Sequence, residues 1–415
     1  MVPDQRNTFN QNFSDEKYAH LLSELNKDFE SAIDFRVAET PVFIDANCNQ
    51  QMLDTCDYII DKIVDSNFTA QTNGAIPANK NVPNQTAHPH FLAFDFGICM
   101  SEQNEPVPQL IEMQGFASLF GYQAHLDDAM HSTYEIHEPY TAYYGGLNKT
   151  SYLQKLQSVI VGHHDPKHVV LLEIKPHTQK TRIDFYATAA FTGITIVCIT
   201  DVIKEGATLF YKNDKGEKID IKRIYNRIIF DELDQMPADI KEAGSLLFEN
   251  LHVEWAGHPN WFYRISKYTM PLLKHPCIPA SYYVNELASI PEDLENYVLK
   301  PLFSFAGSGV IIDVTKTDIE SLPDPANWML QQKVNYAPII KTPTTPAKVE
   351  IRLLYLWEEG AARPFPAINI ARLSKGKMIG VRYNQNETWV GGSIAYAPTT
   401  SYITNGEGSS NTSHK

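Results

Sequence analysis

Cysteine is scarce in this chain. Five residues in 415 (Cys48, Cys56, Cys99, Cys198 and Cys277) form an odd, scattered set with no CxxC pair. That excludes a disulfide framework and a cysteine-built zinc cluster, and leaves reduced, mostly buried thiols as the expectation. Blocks of Lys and Arg are also missing, and acidic residues outnumber basic ones 49 to 35 for a net charge of −14. A surface for nucleic acid or anionic membrane is not expected from that balance. No run approaches the roughly 18 apolar residues of a membrane helix, and the opening MVPDQRNTFNQNFSDEK is polar rather than signal-like, so a cytoplasmic location is expected. No internal repeat is found.

What is present is a chain of 415 residues, 43% of them hydrophobic, enough for two or three units at about 150 residues each. Residues 1–90 begin helical, since FSDEKYAHLLSELNKDFESAIDF and QMLDTCDYIIDKIVDS repeat apolar residues at three and four, with Ser14 and Asp15 at a cap position. The Asn-, Pro- and Gly-rich TNGAIPANKNVPNQTAHPH (72–90) reads as a connecting loop or lid too polar to pack. FLAFDFGICM (91–100) and VPQLIEMQGF (107–116), joined by SEQNEP, predict an antiparallel hairpin. From 168 to 230 the order is strand, helix, strand, then a hairpin turning at Asn213 to Gly216, so a small α/β lobe is expected over 151–235. Strand-like runs follow from 297 to 384, and the small, polar 401–415 reads as a disordered tail. The fold class expected is α+β.

Two segments carry chemistry. In YVLKP (297–301) followed by SFAGSGV (304–310), an apolar strand delivers one lysine, Lys300. The loop of small residues after it, Ala306, Gly307, Ser308 and Gly309, lets backbone N–H groups come close to a polyphosphate. The same pattern suits an ordinary hairpin with a surface lysine. In the earlier hairpin, strand alternation turns Glu112 and Gln114 to one face and Ile111 and Met113 to the other, while Asp95 shares a face with Phe91, Ala93 and Gly97. Asp95, Glu112 and Gln114 are hard oxygen donors of the kind Mg²⁺ takes alongside substrate phosphates. A solvated polar face is the alternative.

Together these segments resemble the ATP-grasp ligases. YVLKP…AGSGV with WMLQQKVNY (328–336) is similar to the nucleotide clamp, and FLAFDF…PQLIEMQG to the metal-binding strands, where the family has Asp and then Glu-x-Asn. The metal strands come first here. That order resembles the circularly permuted ATP-grasp proteins, including the synthetase domains of glutathionylspermidine synthase and eukaryotic-type glutathione synthetase. The resemblance spans roughly 90–395 and implies metal strands in 91–150 and a clamp in 236–400. It also implies ATP and Mg²⁺ as cofactors, and an ADP-forming ligase joining a small-molecule or peptide carboxylate to an amine through an acylphosphate. A nucleotide-binding protein on a degenerate scaffold is the alternative it leaves.

The resemblance also assigns residues. Lys300, Ala306, Gly307, Ser308, Gly309, Lys267, Gln331, Gln332 and Lys333 would hold nucleotide, and Asp95, Glu112 and Gln114 the metal, with Gln114 standing where the family has asparagine. Arg352, Arg372 and Arg227 are the catalytic or substrate-anchoring candidates, each on an apolar strand where a guanidinium is paired with an acid or aimed at an anion. Lys175 is a further carboxylate candidate. Glu350 and Asn384, in EIR and GVRYN, resemble segments of non-permuted, amino-acid-adding ligases and give a competing metal set. His163 and His164 lack a third ligand at helical or hairpin spacing and read as a loop pair. The tyrosine-rich 134–146 suits a pocket wall or packing. Bifunctional relatives carry a cysteine amidase domain that the first 85 residues are too short to supply, so Cys48 and Cys56 are not expected to be catalytic.

Overall fold

The computed structural model describes residues 2–303, 309–377, 379, 384 and 386–399. The expected tail, the loop residues Ala306, Gly307 and Ser308, and most of the expected strand 378–384 lie outside these.

A five-stranded antiparallel sheet forms the centre, in the order Gly391–Ser393, Phe365–Ser374, Lys348–Leu356, Phe91–Met100, Pro106–Gln114. It therefore joins strands from the beginning and the end of the chain. Strand Phe91–Met100 is buried on both faces. Phe91 and Ala93 pack into one core with helix Phe120–Thr133, while Leu92, Phe94, Phe96 and Ile98 pack into another with helix Ala46–Ile63. This double burial explains why FLAFDFGICM is apolar at nearly every position, with Asp95 the buried exception.

Helix Ala46–Ile63 buries Cys48, Met52, Cys56, Ile59, Ile60 and Ile63, one stripe at three- and four-residue spacing. It starts where Asp45 accepts the Cys48 N–H at 2.8 Å. Ser14 caps helix Asp15–Lys27 in the same way, but that helix ends well before residue 35. The opening helix Pro3–Asn12 and helices Phe120–Thr133 and Lys149–Val161 are additions to the sequence reading.

The α/β lobe is a parallel sheet in the order Glu254–Ala256, Arg223–Asn226, Val169–Glu173, Thr195–Cys198, with helix Arg182–Thr192 as the crossover. The hairpin is shorter than expected. Lys218–Ile221 pairs with Thr208–Lys212, but Arg223–Asn226 leaves it for the parallel sheet because all four of its residues are buried.

Residues 72–90 correct the expectation of a lid. They carry little regular structure yet are packed: Val82 and Ala75 are buried, and Asn260 both accepts the Val82 N–H and donates to its carbonyl. Arg264 donates to Thr69 O, Thr72, Asn73 and Gln85. From helix Pro259–Arg264, Asn260 thus satisfies backbone groups at Val82, while Arg264 holds the side chains of Thr72, Asn73 and Gln85 in place.

Two further small sheets are present, a mixed one in the order Val42–Phe43, Ala395–Pro398, Tyr140–Thr141, and an antiparallel one in the order Ser281–Tyr283, Trp328–Gln332, Tyr297–Pro301. The arm expected at 310–314 reduces to a single bridge between Leu299 and Ile311. Gly309, at φ +74°, folds back on Pro301, where a Cβ would meet the ring at 2.8 Å.

Candidate functional site

The small antiparallel sheet and the five-stranded sheet meet at Lys300. Its ammonium, almost wholly buried, donates to Gln331 Oε1 at 2.6 Å on its own sheet and to the Ile111 carbonyl at 3.3 Å across the gap. That carbonyl is exposed by a bulge. Asp95 pairs with Glu112 but Phe96 pairs with Leu110, so Ile111 is the extra residue. The bulge corrects the alternation read from the sequence: Leu110 and Met113 enter the core, while Ile111 turns toward Gly97 on the face of Glu112.

On that face lies a network of charges. Asp95 receives Arg352 Nε and Nη2 at 2.5 Å each and Arg372 Nη2 at 2.8 Å. Arg372 also bonds Glu350, its cross-strand neighbour, and Tyr336 donates to Glu350 Oε2 at 2.9 Å. Arg352 reaches on to Ser118 Oγ at 3.1 Å and lies 3.9 Å from Glu112 Oε1. Lys267 Nζ is 3.4 Å from Glu112 Oε2, and Gln114 donates its amide to Glu112 Oε1 at 2.9 Å.

These neighbours set the proton affinities. Burial alone would raise Glu112, but Lys267, Arg352, Lys300 and Arg372 outweigh it and hold the carboxyl down at about 2. For Lys300 burial dominates and pushes the ammonium down to about 8, with Glu112 opposing. Burial likewise holds Glu350 above the ordinary carboxylate range, against the pull of Arg372. With every group ionised, Lys267, Lys300, Arg352 and Arg372 exceed Asp95, Glu112 and Glu350 by one positive charge, a balance that suits an anion.

The donor set discriminates among the metal candidates. Both Asp95 oxygens are engaged by arginines, so Asp95 organises cations here. Glu112 is partly open to solvent at 23% side-chain exposure, and Gln114 turns its amide N–H toward Glu112, which directs its carbonyl oxygen elsewhere. One carboxylate and one amide oxygen, completed by water and phosphate oxygens, fit Mg²⁺. Asn384 is built into a turn instead, its Oδ1 accepting the N–H groups of Lys375 at 2.9 Å and Gly376 at 3.2 Å.

The remaining candidates divide. Gln331 is buried between Lys300 and Ser281. Gln332 is exposed, and Lys333 donates to the Glu295 carbonyl at 2.5 Å, away from Lys300. Arg227 lies at the carboxyl end of the parallel sheet, stacked between the rings of Phe116 and Phe185 at 5.4 and 5.3 Å. It bonds the Ala117 carbonyl and lies 3.8 Å from buried Asp184. Ala117 and Ser118 are adjacent, so one short loop ties Arg227 to Arg352. Gly115 starts that loop against the Trp261 carbonyl, where a Cβ would meet the oxygen at 2.5 Å. Beside Arg227, burial pushes Glu173 up to about 8. Lys175 is exposed, its backbone N–H on Cys198 Sγ. Ser118 and Tyr336 were not anticipated: a small residue after one strand and a tyrosine a few residues past another carry no spacing signal.

Neither a family model nor a curated protein matches the sequence. Among solved structures, a glutathione synthetase-like effector from Globodera pallida, in its apo form, is similar at a TM-score of 0.57 and 9% identity, over 92% of this chain and 97% of that one. The likeness is one of fold. Among the described residues no helix is long and apolar enough to cross a membrane.

Proposed function

We propose that the chain is an ATP- and Mg²⁺-dependent carboxylate–amine ligase of the circularly permuted ATP-grasp type. It would activate a carboxylate as its acylphosphate and release ADP when an amine displaces the phosphate. The observation that carries the reading is the meeting of Lys300 with the Glu112 strand across two sheets, beneath a surplus of positive charge. The glutathione synthetase-like fold supports it.

In this reading Lys300 and Lys267 bind phosphate oxygens, and Arg352 and Arg372, held by Asp95 and Glu350, compensate charge that builds during phosphoryl transfer. Glu112 and Gln114 would hold Mg²⁺, which neutralises phosphate charge when bound. Arg227, its guanidinium fixed between two rings, anchors the substrate carboxylate. The loop 115–119 sets the distance between that anchor and Arg352, so positioning rests on backbone packing.

One observation favours a second reading. With Asp95 fully engaged by arginines, fewer acids are left for a second metal, as suits a protein that binds nucleotide without turning it over. ADP release, screened over pairs of amino acids, short peptides and polyamines, separates the two. The ligase reading expects Mg²⁺-dependent ADP that needs both substrates, kept by Gln114→Asn and abolished by Glu112→Gln. Equal, Mg²⁺-independent nucleotide binding by all three proteins, with no ADP from any pair, would overturn it.

A further inference from the structure

Helix Lys149–Val161 ends at Gly162 and is followed at once by His163 and His164. Arg223, fully buried at the start of its strand, seals that end: its Nε donates to the Ile160 carbonyl and its Nη2 to the Val159 carbonyl, both at 3.0 Å. The fold then brings Glu254, the first residue of the neighbouring edge strand, beneath the two imidazoles. His164 Nε2 lies 3.1 Å from Glu254 Oε2, and His163 Nε2 lies 3.9 Å from Glu254 Oε1. The third ligand that the sequence spacing lacked is thus supplied by a strand far along the chain.

We propose that His163, His164 and Glu254 form a binding site for a divalent transition metal ion of the zinc type. One nitrogen from each histidine and a carboxylate oxygen fall within 4.8 Å of one another. Ligand bonds of about 2.1 Å set neighbouring donors roughly 3.4 Å apart around a tetrahedral ion, a spacing reached by small side-chain rotations. His164 Nε2 is buried without a hydrogen-bond partner despite its nearness to Glu254, as suits a lone pair directed at an ion. Imidazole and carboxylate are donors that Zn²⁺, Co²⁺ and Ni²⁺ share.

Charge also favours a cation. Arg223 Nη1 contacts both Glu254 Oε2 at 2.8 Å and Glu359 Oε1 at 2.7 Å, so two carboxylates face one guanidinium and one negative charge is left over. The carboxyl end of the helix adds its partial negative charge. Three protein ligands leave a position for water, but the site lies at the amino ends of the parallel strands, opposite Arg227 and the loop 115–119. Its role is that of a staple between the helix end and the edge strand, separate from the ligase chemistry.

The test uses the full chain without a histidine tag, stripped with chelator and titrated with Zn²⁺ by calorimetry and with Co²⁺ by visible absorption. His163 has 72% of its side chain exposed, so His163→Ala leaves the fold intact, and His164→Gln is the second variant. One equivalent is expected to bind the wild type, and each variant to lose about tenfold or more in affinity. Saturating Zn²⁺ should lower the unfolding equilibrium constant about a hundredfold at 100 times the dissociation constant. Failure of the wild type to bind, or binding that both variants retain in full, overturns the proposal.

Discussion

Burial pushes the Lys300 ammonium down to about 8 in the folded chain, well below the ordinary 10.5. Below pH 8 both folded and unfolded states hold the proton, and the folded state bears the cost, roughly 3 kcal/mol for a shift of this size. As pH rises from 8 to 10.5 the folded state releases its proton before the unfolded one, and stability recovers. Lys300→Met removes that cost but also the hydrogen bonds to Gln331 and to the Ile111 carbonyl, worth about 1 kcal/mol each. The variant should therefore be about 1 kcal/mol more stable than wild type at pH 7, with the gain shrinking toward pH 10, while nucleotide affinity falls. Urea midpoints for both proteins at the two pH values check this, and a difference independent of pH would remove the buried charge from the account. Arg352→Lys should act oppositely, because a single ammonium cannot reproduce the paired contact with Asp95. Losing one of the two charge-assisted hydrogen bonds from residue 352 to Asp95, with the charge kept, should cost about 2 kcal/mol by denaturant unfolding.

Among the elements, the loop 115–119 carries the greatest load, since Ala117 holds Arg227 and Ser118 holds Arg352. Gly115→Ala would set a Cβ at 2.5 Å from the Trp261 carbonyl, and backbone cannot yield as a side chain can. A loss of about 2 kcal/mol in stability is expected. In the ADP assay activity should fall further than stability explains, because the loop shifts both guanidinium groups at once. Unchanged turnover with reduced stability would detach the loop from the site. How far these elements were legible varies. Strands buried on both faces announced themselves as apolar runs, and Lys300 and Glu112 stood out as the polar exceptions within or beside them. The Ile111 bulge did not, because one extra residue in a ladder leaves no trace in composition. Nor did the partners of Asp95: the arginines that occupy it come from strands more than half the chain away, and only sheet order brings them together. The packed course of 72–90 was hidden because Asn260, which bonds the Val82 backbone, and Arg264, which bonds the side chains of Thr72, Asn73 and Gln85, lie far downstream.

At the scale of the molecule, the chain begins its central sheet with Phe91–Met100 and finishes it with Gly391–Ser393, wrapping the parallel lobe and the small antiparallel sheet between. The candidate site is made where these layers meet, and no single segment holds it. The most direct test is a crystal structure with a non-hydrolysable ATP analogue and Mg²⁺. The triphosphate is expected between Lys300 and the Glu112 strand, within hydrogen-bond distance of Lys300 and Arg352, with the metal on Glu112 and Gln114 and Asp95 still paired to its arginines. A nucleotide bound away from Lys300, or a metal held by acids that exclude Glu112, would contradict it.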